Sequence, residues 1–134
     1  MVVSSQHRVT ILAIDDEAQS LEELSSVLVA AGYTCRCVQN PRAAAKAIAQ
    51  LVPDLIISDI NLAGYNGLTI CEQLKLDAGC GNVPVMFLSA SQVPDIIRRS
   101  HSVGGTYYVR KPFDATVLLE LVAKALPAAQ LSGA

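Results

Sequence analysis

An α/β fold built on an open, five-stranded parallel sheet with helices on both faces is what this sequence predicts. Three observations predict it. Short apolar runs alternate with segments of helical periodicity five times along the chain. The run Leu55-Ile56-Ile57 is wholly apolar, as in a strand covered on both faces. Four of the five runs then stop at residues able to do phosphate or metal chemistry: Asp15-Asp16, Asp59, Ser89 and Lys111. In an open parallel sheet the carboxyl ends of the strands share one edge, and the ligand crevice lies outside that edge. Right-handed crossovers restrict the winding to a few doubly wound arrangements, and a closed barrel would need about eight such units.

The elements follow in order. The first strand covers about Val9 to Ile14. Leu21, Leu24, Leu28 and Ala31 recur at helical spacing, and Gly32 supplies the stop. Tyr33 to Val38 forms the second strand, and Asn40-Pro41 reads as an N-cap with proline at the first helical position. That alanine-rich helix reaches Leu51, Pro53-Asp54 breaks it, and Leu55 to Ser58 is the third strand. Asn61 to Gly67, with two asparagines and two glycines, reads as a loop. A third helix at about Leu68 to Leu76 presents Ile70 and Leu74 on one face. Gly79-Cys80-Gly81-Asn82 is a turn without the spacing of a phosphate-cradling loop. Val83 to Leu88 is the fourth strand, and Pro94 suits the first turn of a helix that Gly104-Gly105 ends. Thr106 to Val109 is the fifth strand. Asp114 caps a last helix whose stripe is Leu118, Leu121, Val122 and Ala125, and Pro127 stops it.

Bulk properties narrow the function. At 134 residues the chain is one domain, expected to bury roughly two-thirds of its unfolded surface. A formal net charge of −2 and the lack of any basic tract give no reason to expect direct nucleic-acid binding. No apolar stretch approaches the ~20 residues of a membrane span, and Met1 to Arg8 has no apolar signal core. A cytoplasmic location is therefore expected, with thiols kept reduced. Cys35 and Cys37 should project from one face of the second strand. With no CxxC pair and only His7 and His101 as histidines, Cys35, Cys37, Cys71 and Cys80 read as small buried or half-buried hydrophobes, not a metal or redox site.

The polar strand ends carry the chemistry. Asp15, Asp16 and Asp59 would repel one another at one sheet edge, and a divalent ion resolves that conflict. Mg²⁺, or Mn²⁺ in its place, binds one or two carboxylates while accepting phosphate oxygens. A carboxylate beside such a metal can attack phosphorus and form an aspartyl phosphate, and Asp59 is the candidate. Lys111 offers a point charge to the phosphoryl group and Ser89 a hydroxyl. Each residue alone reads equally well as a helix-start acid, a surface lysine or a turn serine. Together, at four strand ends, they describe one pocket.

This set resembles the receiver domain of two-component response regulators, over about Val9 to Leu126. The matching segments are Ile14-Asp15-Asp16-Glu17, Pro53 to Asp59, Gly67, Leu88-Ser89-Ala90 and Tyr108 to Phe113. The resemblance implies a flavodoxin-like (βα)5 fold with strand order 2-1-3-4-5, for which the family itself serves as a reference example. It also implies Asp59 as phosphoacceptor and Asp15, Asp16, Asp59 and the backbone carbonyl of Asn61 as the Mg²⁺ site. Lys111 would bind the phosphoryl group, Ser89 would move toward it, and Tyr108 would turn inward as a switch. The Lys111-Pro112 bond is often cis in this family. Ala63 stands where proline is usual, Asn66 where aspartate is frequent and Ser89 where threonine is commoner; none of these removes a chemical group. Asn61 and Ser91 occupy positions that influence phosphate lifetime in relatives.

The function expected is a phosphoacceptor switch: a sensor histidine kinase or histidine phosphotransfer protein supplies the phosphoryl group, and the domain accepts it without turning over a substrate. One rival is a metal-dependent aspartyl-phosphate phosphatase, but Asp59-Ile60-Asn61 lacks the second acid of the DxD pattern, and the candidate nucleophile is not on the first strand. A second is a non-phosphorylated interaction module on the same fold. The face built from the last two strands and helices, with Ile96, Ile97, Arg98, Arg99 and Tyr107, is expected to meet an effector or a second copy, unless it is ordinary helix packing. Residues 1–134 read as a single receiver, core about 8–126 and tail 127–134, with Met1 favouring a genuine start.

Overall fold

The computed structural model describes residues 8–62, 64–77, 81–90 and 106–126. In chain order it holds β1 (Thr10–Ile14), α1 (Ala18–Ala30), β2 (Thr34–Val38), α2 (Pro41–Gln50), β3 (Leu55–Asp59), β4 (Asn61–Leu62) and β5 (Tyr65–Asn66). After these come α3 (Gly67–Asp77), β6 (Val85–Ser89), β7 (Thr106–Arg110) and α4 (Ala115–Ala125). The main sheet is parallel, in the order β2-β1-β3-β6-β7. Counting its five strands alone, this is the expected 2-1-3-4-5. The helix expected between Pro94 and Gly104 lies outside the described residues, as do Ile96 to Arg99, Ser91, Cys80 and the tail from Pro127.

Strand alternation divides the core into two layers. Leu12, Ile14, Ile56, Val85 and Phe87 pack with Ala44, Ala47 and Ile48 of α2 and with Leu68, Ile70 and Leu74 of α3. Ile11, Ala13, Leu55, Ile57, Met86 and Leu88 pack on the other face with Leu21, Leu24 and Leu28 of α1 and Leu118 and Val122 of α4. β1, β3 and β6 are buried along their whole length, which is why their sequences read as continuous apolar runs.

The helix ends obey local chemistry. Gly32 adopts φ 99°, a left-handed geometry that ends α1 at low cost only for glycine. The Asn40 side chain accepts a hydrogen bond from the Ala43 N–H at 2.8 Å, with Pro41 behind it. Asn40→Ala is expected to destabilise the fold by about 1 kcal/mol, read as a lower urea midpoint at unchanged slope. Asp114 caps α4 in the same way, accepting from the Val117 N–H at 3.1 Å.

The segment after β3 departs from the expectation of a plain loop. Asn61 pairs with Asn66 and Leu62 with Tyr65, forming a small antiparallel ladder whose turn passes through Gly64 at φ 76°. Two-residue strands are too short to show an alternating pattern, so periodicity could not reveal them. Cys37 is a further correction: it is exposed, while Cys35 is half-buried and Cys71 fully buried.

Candidate phosphoacceptor site

The registers place the polar strand ends side by side. Ile14 neighbours Ser58, Asp59 neighbours Leu88, and Ser89 neighbours Arg110, so the chain leaves β1, β3, β6 and β7 along one edge. Asp15, Asp16 and Asp59 each offer a carboxylate oxygen within 4.8 Å of the others. Lys111 Nζ lies 2.6 Å from Asp59 Oδ2 and 3.0 Å from Asp15 Oδ2. The Lys111-Pro112 peptide is cis.

Backbone donors hold the acids in place. Asp59 is 8% exposed, and its Oδ1 accepts the Asn61 N–H at 2.9 Å. Asp15 Oδ1 accepts the Glu17 N–H at 2.9 Å, while the Asp15 N–H donates to the Val38 carbonyl at the end of β2. Each of these two carboxylates thus has one oxygen fixed by backbone and the other turned to the ammonium. Burial pushes the Asp15 carboxyl above its ordinary pKa; the Asp59 charge adds to that, and the Glu17 N–H and Lys111 offset it only in part. Burial alone would lower the Lys111 pKa, but its hydrogen bonds to Asp59 and Asp15 outweigh that and raise it. Lys111 thus bridges two of the three clustered acids, Asp15 and Asp59.

The other residues singled out from sequence sit around this centre. Ser89 is fully buried at the end of β6, and its carbonyl accepts the Lys111 N–H at 2.8 Å. Tyr108 is half-buried and packs against the α2/α3 layer. Asn61 begins β4, two residues after Asp59 at the end of β3. Alongside, a cavity of about 600 Å³ is lined by Asp15, Glu17, Leu88, Lys111 and Phe113 among others.

Three residues near the site have roles that the sequence reading did not assign. The Ser58 hydroxyl, wholly buried, donates to the Asp59 carbonyl at 2.9 Å. Asn66 Oδ1 accepts the Leu68 N–H at 2.8 Å and so caps α3. Gly67 donates its N–H to the Ile60 carbonyl at 2.7 Å and brings its Cα against the backbone of Asp59. For the site, Gly67 and Ser58, the latter within the Pro53 to Asp59 segment, had been marked only by the family resemblance, while Asn66 also carried a local signal, as an asparagine just before an apolar helical stripe.

Comparison with known proteins bears on the family and the fold. The family model described as the response regulator receiver domain matches residues 11–123. The phosphate regulon transcriptional regulatory protein PhoB of Pseudomonas aeruginosa is 36% identical over 115 residues, 86% of this chain and 49% of that protein. The DNA-binding response regulator MtrA of Mycobacterium tuberculosis is 35% identical over 118 residues, 87% of this chain and 49% of its own length. The chain thus spans about half the length of these curated relatives. Among solved structures, the chemotaxis protein CheY4 of Vibrio cholerae superposes with a TM-score of 0.84 at 25% identity, covering 90% of this chain and all of that one.

Proposed function

We propose, from the premise that this chain belongs to the response regulator receiver domain family, that Asp59 accepts a phosphoryl group from a phosphohistidine partner. The carrying observation is one carboxylate, Asp59, held within 4.8 Å of two others and 2.6 Å from an ammonium. Asp15, Asp16 and Asp59, with the carbonyl of Asn61, would hold Mg²⁺; three carboxylate oxygens within 4.8 Å of one another fit a hard divalent cation. Bound there, Mg²⁺ would neutralise the charge of the incoming phosphoryl oxygens.

The chain's own residues do the rest. The Asn61 N–H holds Asp59 Oδ1 and so orients the carboxylate for attack. As the new O–P bond forms, the P–N bond of the donor breaks and the histidine keeps the electron pair. Lys111 then exchanges its contact with Asp59 Oδ2 for a phosphoryl oxygen. The Ser89 hydroxyl donates to a second phosphoryl oxygen, and Tyr108 moves into the space this leaves. Driving such a switch from 1:99 to 99:1 takes about 5.5 kcal/mol, within reach of a few charge-assisted hydrogen bonds. The partner is a sensor histidine kinase or a histidine phosphotransfer protein, and the domain is a single-turnover acceptor. DNA binding, named for MtrA, belongs to a protein about twice as long as the aligned stretch and is not carried over to this chain, whose net charge is −2.

Incubation with Mg²⁺ and a small-molecule phosphodonor should add one phosphate per chain, seen by intact mass, and a chelator should prevent it. Mg²⁺ alone, at about 100 times its Kd, should stabilise the fold by about 2.7 kcal/mol in thermal melts. A phosphate added equally well in chelator, or an unmoved melting temperature, would remove the metal from the scheme.

A further inference from the structure

Away from the acidic pocket, β2 carries a second chemical feature. Among the described residues it is an edge strand, paired only with β1 in the main sheet. Cys35 and Cys37 project from the same face of it, toward α1, with their sulfurs 3.9 Å apart. Cys37 is exposed and lines an open groove of about 730 Å³ between α1, the end of β2 and the start of α2, together with Leu21, Ser25, Val29 and Asn40. Cys35 is half-buried and packs against the α1/α4 layer. Two thiols on one strand face, opening on a groove, form a preorganised dithiol.

The donor count decides which acceptor this pair suits. Zinc asks for four nitrogen, sulfur or oxygen ligands. Among the described residues the only cluster of three or more such groups is Asp15, Asp16 and Asp59. An acceptor here must be satisfied by two sulfurs, and soft thiolates select soft centres. We propose that Cys35 and Cys37 form a bidentate site for thiophilic acceptors with two exchangeable positions, of the trivalent arsenical class. With an arsenoxide, each thiol gives its proton to the arsenic-bound oxygen, two As–S bonds form and one water leaves; no oxidation state changes. Burial and the neighbouring Cys37 push the Cys35 thiol up to about 12, so reagents that need a free thiolate react poorly with it. An arsenoxide brings its own basic oxygen.

The test uses phenylarsine oxide on the folded 134-residue chain. One adduct per chain, formed with loss of one water, should survive millimolar glutathione and be released by dithiothreitol. Trypsin cuts after Arg36, between the two cysteines, so the bridge should either join Val9–Arg36 to Cys37–Arg42 or appear on the uncut Val9–Arg42 peptide. Cys37→Ser, at an exposed position, and Cys35→Ser should each lower retention against glutathione roughly 100-fold, because the second bond is intramolecular. Cys71→Ala and Cys80→Ser should retain the adduct. Unchanged retention in Cys37→Ser, an adduct mapping to Cys71 or Cys80, or one formed only in urea would each overturn the assignment. Phosphate uptake by Cys37→Ser, measured alongside, shows that the variant is folded.

Discussion

Asp59→Asn is expected to abolish phosphate uptake completely, with no mass shift at any phosphodonor concentration that fully modifies the unsubstituted chain. The substitution preserves volume, and its amide oxygen can still accept the Asn61 N–H that now meets Asp59 Oδ1 at 2.9 Å. It removes the nucleophile, since a neutral amide does not attack phosphorus as a carboxylate does. It also takes one of three anionic donors from the cluster, so Mg²⁺ should stabilise the variant less. Lys111 keeps its 3.0 Å contact to Asp15, which holds the β7 end in place. Asp16→Asn separates the two effects: it weakens metal binding but leaves Asp59, so uptake should be slower and recover at higher Mg²⁺. An adduct in Asp59→Asn, or one that maps elsewhere and resists hydroxylamine, would mean that another side chain is the acceptor.

What could be read beforehand, and what could not, follows from where each signal resides. β1 and β3 were visible because burial on both faces leaves only apolar residues between Ile11 and Ile14 and between Leu55 and Ile57. The acidic cluster was visible because parallel strands must end together, so a polar residue after each run implies a shared edge. Pairing was not visible in the same way: nothing in Lys111's neighbourhood says that its ammonium bridges Asp59 and Asp15 across 52 and 96 residues of sequence. The β4/β5 ladder escaped because two-residue strands have no period. Ser58 was given no role beyond its place in the third strand, and its hydroxyl turns back onto the Asp59 carbonyl of that strand. Local hydrogen bonds of that kind leave no mark on periodicity. Cys37 was expected to be at least half-buried, as small thiols usually are, and β2's place at the sheet edge leaves it exposed instead.

Gly67→Ala is expected to be the most damaging substitution that touches no reacting group. Two effects of opposite sign meet at this position. Gly67 is the first residue of α3, where alanine in place of glycine normally favours the helix by roughly 0.5–1 kcal/mol. Space decides against it. A Cβ on Gly67 would stand inside contact distance of the Asp59 carbonyl oxygen and 3.0 Å from the Ile60 Cα. Both obstacles are backbone, so no rotamer change relieves them, and the same carbonyl is held by the Ser58 hydroxyl. Overpacking of this kind costs about 3 kcal/mol, the upper end of the usual range, which exceeds the helix gain. The melting temperature should fall by roughly 10 °C for a chain of this size. Relief by moving Asp59 has its own cost, because shifting its backbone carries the carboxylate away from Lys111 and the other acids. Phosphate uptake should therefore slow even at temperatures where the variant is fully folded. Gly64→Ala is the control: nothing lies within 4 Å of a Cβ there, so the cost comes only from its φ of 76° and should leave Asp59 undisturbed. If Gly67→Ala melts like the unsubstituted chain and takes up phosphate at the same rate, the approach of α3 to the acceptor strand is not as close as described.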